Sequence, residues 1–270
     1  MVHINFGCSI AVFTLVSTAT ADCTRASLLA ASENYLTAQG TGDLQPLFAS
    51  DFTYLENNKT KDFNSSVLSS PLNITHNHTL LDTIACATYT ELVITDPKKQ
   101  YLIGTQIHYI NTSGTSLQIS MIDAIVSTTG DWQFNATKSL SYIESEDWSP
   151  LPTSSQSTRT YLLSTADAYL DLWGANNASA HVPWGTPCDR MEGSAYTGKG
   201  TPTDSCNVGI PTTIQLPNVA RRYVVDEGMG CVSVLCVFQC MRNAPDSHEF
   251  RVVDGRLRYV HTMTVMRSNA

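Results

Sequence analysis

Residues 24–36 and 158–170 repeat one arrangement of apolar and polar positions. The Thr-Arg, Leu-Leu and Tyr-Leu pairs fall at the same spacing in both segments. Leu28, Leu29, Ala31, Tyr35 and Leu36 line one side of a 3.6-residue helix, as do Leu162, Leu163, Ala166, Tyr169 and Leu170. Each predicted helix runs into a polar loop, at residues 39–43 and 174–177. The repeat continues more faintly, with residues 79–87 set against 223–231 and Asp82 against Asp226. Each of these segments reads as a short helix ahead of the strands.

Strand-like runs follow at residues 86–95, 101–109 and 231–239. Residues 245–265 read as a hairpin: a strand at 248–253, a turn at Asp254-Gly255, and a strand at 256–265. Leu257, Tyr259, His261, Met263 and Val265 share one face of the second strand; His248, Phe250 and Val252 share one face of the first. Residues 116–126, Gly130-Asp131 and 132–142 form the matching hairpin of the first half. Residues 148–157, rich in serine and proline, read as a linker.

This order predicts an α+β fold built twice, each unit a curved sheet with helices on its concave face. The units span residues 22–147 and 158–270. With one sheet face still apolar in each, they would pack sheet to sheet as an intramolecular pseudo-dimer.

Composition narrows the setting. The 270 residues are 42% hydrophobic and 15% charged, enough apolar material for a sizeable core. A net charge of −8 argues against a nucleic-acid surface, which needs a basic patch. The apolar run 6–16, followed by small residues at 17–21, reads as a signal peptide over residues 1–21. It is too short for a membrane anchor. Sequons open at Asn58, Asn64, Asn73, Asn77, Asn111, Asn135 and Asn177, which suits a secreted glycoprotein.

Eight cysteines become seven without Cys8, so one thiol stays unpaired or bridges two chains, which leaves a homodimer open. Cys188 and Cys206 flank a Gly/Thr/Pro-rich loop and are expected to close it; Cys23 with Cys86 is the natural second bridge. Cys231, Cys236 and Cys240 are not assigned.

The tandem order, the Arg221-Arg-Tyr-Val-Val-Asp-Glu227 run and the terminal hairpin resemble the NTF2-like (SnoaL-like) superfamily, and within it a family of secreted fungal proteins. The resemblance implies two tandem cone-shaped α+β barrels, each with space for a pocket between helices and sheet. That superfamily holds cyclases, isomerases and dehydratases as well as non-catalytic binding modules, so it implies a pocket and not a reaction.

Candidate chemistry gathers in the second half. His261 would be an isolated polar group in an apolar cavity, able to move a proton, with Asp226 or Asp189 fixing its tautomer and His248 as a further catalytic candidate. Arg221, Arg251 and Arg258 could hold a carboxylate or a developing enolate. Tyr223, Tyr259 and Met263 complete the expected substrate wall. The segment 188–193 is read as a loop at the pocket mouth. The first half offers only Asp123, Gln133 and Lys138 at matching places.

His76 and His78 have no acidic or cysteine neighbours in sequence, so no metal site is expected there. Glu144, Glu146 and Asp147 read as a solvated end of an element. No G-x-S-x-G, H-E-x-x-H, Rossmann or P-loop pattern occurs. The expectation is a cofactor-independent enzyme acting on an apolar small molecule by proton transfer. The alternatives are a binding module with the same pocket and a glycosylated interaction scaffold.

Overall fold

The computed structural model describes residues 23–111, 116–175, 179 and 181–266. The expected signal peptide and Asn177 lie outside those residues. In the first half, helix α1 (Arg25–Thr41) precedes β1 (Phe48–Glu56), β2 (Lys59–Thr60), β3 (His76–Asp82), β4 (Ala87–Ile94), β5 (Tyr101–Asn111), β6 (Leu117–Thr128) and α2 (Ala136–Ile143). In the second, α3 (Arg159–Leu170) precedes β7 (Trp184–Glu192), β8 (Ala195–Tyr196), β9 (Asn218–Asp226), β10 (Cys231–Phe238), β11 (Ala244–Val253) and β12 (Arg256–Thr264). The fold is α+β, with two six-stranded mixed sheets ordered β2-β1-β6-β5-β4-β3 and β8-β7-β12-β11-β10-β9. β1 runs parallel to β6 and β7 parallel to β12, while the other pairs are antiparallel.

The repeated Thr-Arg pair starts both long helices. Thr24 and Thr158 are N-caps, their side-chain oxygens accepting from the amides of Ser27 and Tyr161. The buried stripe of α1 is Leu28, Ser32, Tyr35 and Gln39, whereas Leu29, expected inside, is 49% exposed. In α3 the stripe is Leu162, Thr165, Ala166, Tyr169 and Leu170.

Three local expectations change. Residues 79–87 form the end of β3 and a turn, because Asp82 Oδ1 accepts from the amides of Ile84 and Ala85 and closes the chain there. Residues 223–231 likewise end β9. The segment 132–142 contains helix α2: Asn135 caps it through Lys138, and Ala136, Ser139 and Ile143 face inward at helical spacing. The partner of β6 in its hairpin is therefore β5. Residues 188–192 are the end of strand β7, ordered by parallel pairing to β12.

The terminal hairpin forms as expected, and Asp254 and Gly255 both take positive φ (49° and 70°), as a tight two-residue turn requires. A register shift near Arg258 separates Leu257 from Tyr259. It is a bulge, and it sends the two residues to opposite faces. Leu257 joins the core beneath α3, while Met263 and Val265 join the core between the sheets.

Each half has its own core on its helix-covered face, around Tyr35, Leu92 and Ile107 in one and Tyr169, Val234 and Phe250 in the other. A third cluster draws on both halves: Tyr89, Leu102 and Ile125 meet Val224, Leu235 and Met263. The two sheet faces turned away from α1 and α3 thus cover one another, with Ala136 and Ile143 of α2 packed into the same cluster. Arg25 Nη1 donates to Asp226 and Arg159 Nη1 to Asp82, each at 2.7 Å, so each helix start is tied to the opposite half. Asn58 also joins them: its Nδ2 donates to the Cys236 carbonyl at 2.9 Å, and its Oδ1 accepts from Arg222 at 2.6 Å.

Both expected disulfides are present, Cys23–Cys86 and Cys188–Cys206, while Cys231, Cys236 and Cys240 are free. The first spans 63 residues. Closing so long a loop restricts the unfolded chain by about 4 kcal/mol. Cys240 lies in a 3-10 turn, off the strand that carries Cys236. Two disulfides fit an oxidising, extracellular setting. Among the described residues no helix is long and apolar enough to cross a membrane.

Candidate functional site

A cavity of about 120 Å³ opens on the helix-covered face of the second sheet. Strand alternation places its polar wall. From β11 comes His248, from β7 Arg190 and Glu192, and from β12 Thr262 and Thr264. Its apolar wall is Tyr169, Trp173 and Phe238. Trp173 and Phe238 meet edge to face with centroids 5.2 Å apart, and Tyr169 holds His248 and Phe250 at 5.9 and 5.1 Å.

His248 and Asp246 sit two apart on β11, so they share this face. His248 Nδ1 lies 3.2 Å from Asp246 Oδ2, and both residues are buried. Thr264 donates to Asp246 Oδ1 at 2.8 Å. Burial, with Arg190 and Arg221 nearby, lowers the His248 pKa to about 3. Burial holds the Asp246 carboxyl well above the usual carboxylate range, against the opposing bond from Thr264. Burial thus favours the uncharged form of both groups.

Arg190 donates to the carbonyls of Cys206 and Val208 at 3.1 and 2.6 Å, leaving its buried Nε without an acceptor. The Cys188–Cys206 bridge anchors the loop that supplies those carbonyls. Cys236 lies behind the pair, with Sγ 3.9 Å from Asp246 Oδ2. Cys236, Asp246 and His248 together have the ligand types of a metal site, although Asp246 already has Thr264 and His248 at its oxygens.

His261 is elsewhere. The bulge at Arg258 turns it to the face between the sheets, where it is buried between two carboxylates. Its Nδ1 lies 3.1 Å from Glu91 Oε2 and its Nε2 2.6 Å from Glu146 Oε2. Burial opposes the imidazolium, but Glu146 and Glu91 outweigh it and raise the His261 pKa well above normal. Glu91, from the first half, gave no sequence signal. Glu146, expected in solvent, also accepts from Trp148 Nε1 and the Tyr196 hydroxyl.

The remaining expected site residues are spread around the molecule. Asp226 is bound by Arg25 and by the amides of Leu81 and Met229, far from acting on a histidine. Arg221 donates to Asp167 and Asp171 of α3, and the Tyr223 hydroxyl donates to the same Asp167. Arg251 is buried between the sheets, donating to the carbonyls of Met229 and Ser149. Arg258 pairs with Asp189 at 2.6 Å and stacks on Tyr259. Tyr259 packs on Trp148, and Met263 belongs to the core between the sheets. Of the expected residues, His248 lines the cavity, together with Arg190 and Glu192 from the segment 188–193 expected at the pocket mouth.

The first sheet has no counterpart to this histidine. By strand register Thr105 of β5 occupies the place of His248, and Asp123 of β6 that of His261.

A family model described as a domain of unknown function, DUF8021, matches residues 155–264, which cover α3 and nearly the whole second sheet. No curated protein matches the chain.

Proposed function

We propose that this is a secreted protein of two NTF2-like units packed as an intramolecular pseudo-dimer, whose second unit is a cofactor-independent enzyme. Its chemistry is proton transfer on a small apolar molecule, of the isomerase, cyclase or dehydratase type. The observation that carries this is the buried His248 in the cavity wall beside Arg190, with Asp246 3.2 Å from its ring. His248 would take the proton, and because burial disfavours its charged form the developing anion must be held beside it. The Arg190 Nε–H, which lacks an acceptor, would stabilise an enolate oxygen. A cavity of 120 Å³ suits one small ring. The aromatic lining also favours a second reading, a carrier that binds such a molecule unchanged.

The test is proton exchange at carbon. Small cyclic enolisable ketones are incubated in deuterated water with the full-length protein, and α-deuteration is followed by NMR. Wild type should exchange at least one ketone, and His248→Gln should slow this by about 100-fold or more while melting within a few degrees of wild type. Saturable binding without exchange would establish the carrier reading. Equal loss of exchange and fold would make His248 structural.

A further inference from the structure

Between the two sheets lies a second polar cluster with several unsatisfied hydrogen-bonding groups. Glu249 of β11 is fully buried, and neither of its carboxylate oxygens receives a hydrogen bond. The closest cationic candidate is His78 Nε2, 3.1 Å from Oε1, on β3 of the other sheet. That atom is also buried and without a hydrogen bond. Of the other cations nearby, His261 is held by Glu91 and Glu146, while Arg251 donates to the Met229 and Ser149 carbonyls and, at 3.8 Å, to Cys231 Sγ. Glu91, beside Glu249, keeps Oε1 without a donor as well. An uncompensated carboxylate is strongly disfavoured in such surroundings.

The Cys231 thiol completes the picture. One ligand atom from each of His78, Cys231 and Glu249 lies within 4.8 Å of the other two. Ligand atoms around tetrahedral zinc sit about 3.3–3.8 Å apart, so side-chain shifts of about 1 Å would close the site. We propose that His78, Cys231 and Glu249 bind a divalent transition metal, zinc by the chemistry of the donors. Imidazole nitrogen, thiolate sulfur and carboxylate oxygen are its usual ligands. The thiol now donates to the Met229 carbonyl at 3.2 Å; on binding, its proton passes to solvent and the thiolate bonds the metal. Glu91 Oε1 is the adjacent unsatisfied oxygen for a fourth position. Because β3 belongs to one sheet and β10 and β11 to the other, the ion would cross-link the two halves. This site is distinct from the cavity at His248, which lies on the opposite face of the second sheet.

The test uses full-length protein stripped with chelator and then given zinc or cobalt(II). Wild type should retain about one zinc per chain through dialysis, with its melting temperature raised by several degrees. Cobalt should produce a thiolate-to-metal charge-transfer band. Cys231→Ser should lose that band, and Glu249→Gln should bind zinc at least about tenfold more weakly. Cys236→Ser should keep both the band and the stoichiometry. Should the buried variants fail to fold, X-ray absorption of wild-type zinc decides, with one sulfur and one imidazole expected in its shell. Wild type that holds no zinc would overturn the proposal, leaving a His78–Glu249 ion pair. A band lost in Cys236→Ser and kept in Cys231→Ser would overturn it too.

Discussion

Asp82 and Asp226 each reach into the opposite half of the chain in the same way. Asp82 Oδ2 accepts from the Val225 amide at 2.8 Å, and Asp226 Oδ2 from the Leu81 amide at 2.9 Å. Their other oxygens accept from Arg159 and Arg25, the arginines that follow the two helix caps. Both carboxylates are buried while the Arg25 and Arg159 side chains reach solvent, so replacing either aspartate by alanine strands buried amides rather than a cation. Asp82→Ala and Asp226→Ala should each lower stability by about 1–3 kcal/mol in urea titrations. Because their partners are neighbours in β3 and β9, the double variant should depart from additivity by about 0.5 kcal/mol or more. Strict additivity would show that the exchange is two independent contacts.

His261→Ala removes the only imidazole between Glu91 and Glu146. It should cost about 3–5 kcal/mol and lower the melting temperature sharply, because two buried carboxylates lose their shared partner. Calorimetry showing an unchanged transition would contradict this and return His261 to the list of groups that act on a ligand.

Asp246 carries a pH signature. An unfolded aspartate titrates near 3.9, and burial lifts Asp246 well above that, so in the interval between the two values the fold binds more protons than the unfolded chain. Its contribution to stability is complete below about pH 4 and is lost as pH rises through the folded value. Asp246→Asn cannot lose a proton and can still accept from Thr264. Its melting temperature should match wild type near pH 4 and exceed it increasingly toward pH 8. A variant less stable than wild type at pH 7 would mean that Asp246 is ionised against a charged His248.

Asn58 opens a sequon, yet both polar atoms of its amide hold the second half. Asn64, Asn73 and Asn77 are exposed. Glycopeptide mapping should find sugar at one or more of those three and none at Asn58. A fully occupied Asn58 in folded protein would require the Arg222 and Cys236 contacts to be broken.

Helix starts, the disulfides and the terminal hairpin were legible because they depend on neighbours in sequence: a threonine cap, a closed loop, an Asp-Gly turn. The parallel strands β1 and β7 were not, since they rely on distant partners and carry little alternation of their own. His261 was misplaced by one residue. A strict two-residue period from Leu257 puts it under the helix, and the bulge at Arg258 reverses that. The same limit hid both polar clusters. Asp246 lies ahead of the strand expected at 248–253, while Glu91 approaches His261, and Glu249 and Cys231 approach His78, only after two sheets are laid face to face. In sequence His76 and His78 have no acidic or cysteine neighbours, whereas in the fold His78 meets Cys231 and Glu249 from the other half.

The shared core between the sheets has a consequence for how the chain is made. Synthesis runs from the N-terminus, so β1 to β6 are complete while the residues that will cover their outer face are still untranslated. During that interval Tyr89, Leu102 and Ile125 are open to water, and Asp82 has no Arg159 to meet. The nascent first half is then an aggregation-prone intermediate whose protection depends on how soon the second sheet is made and laid over it.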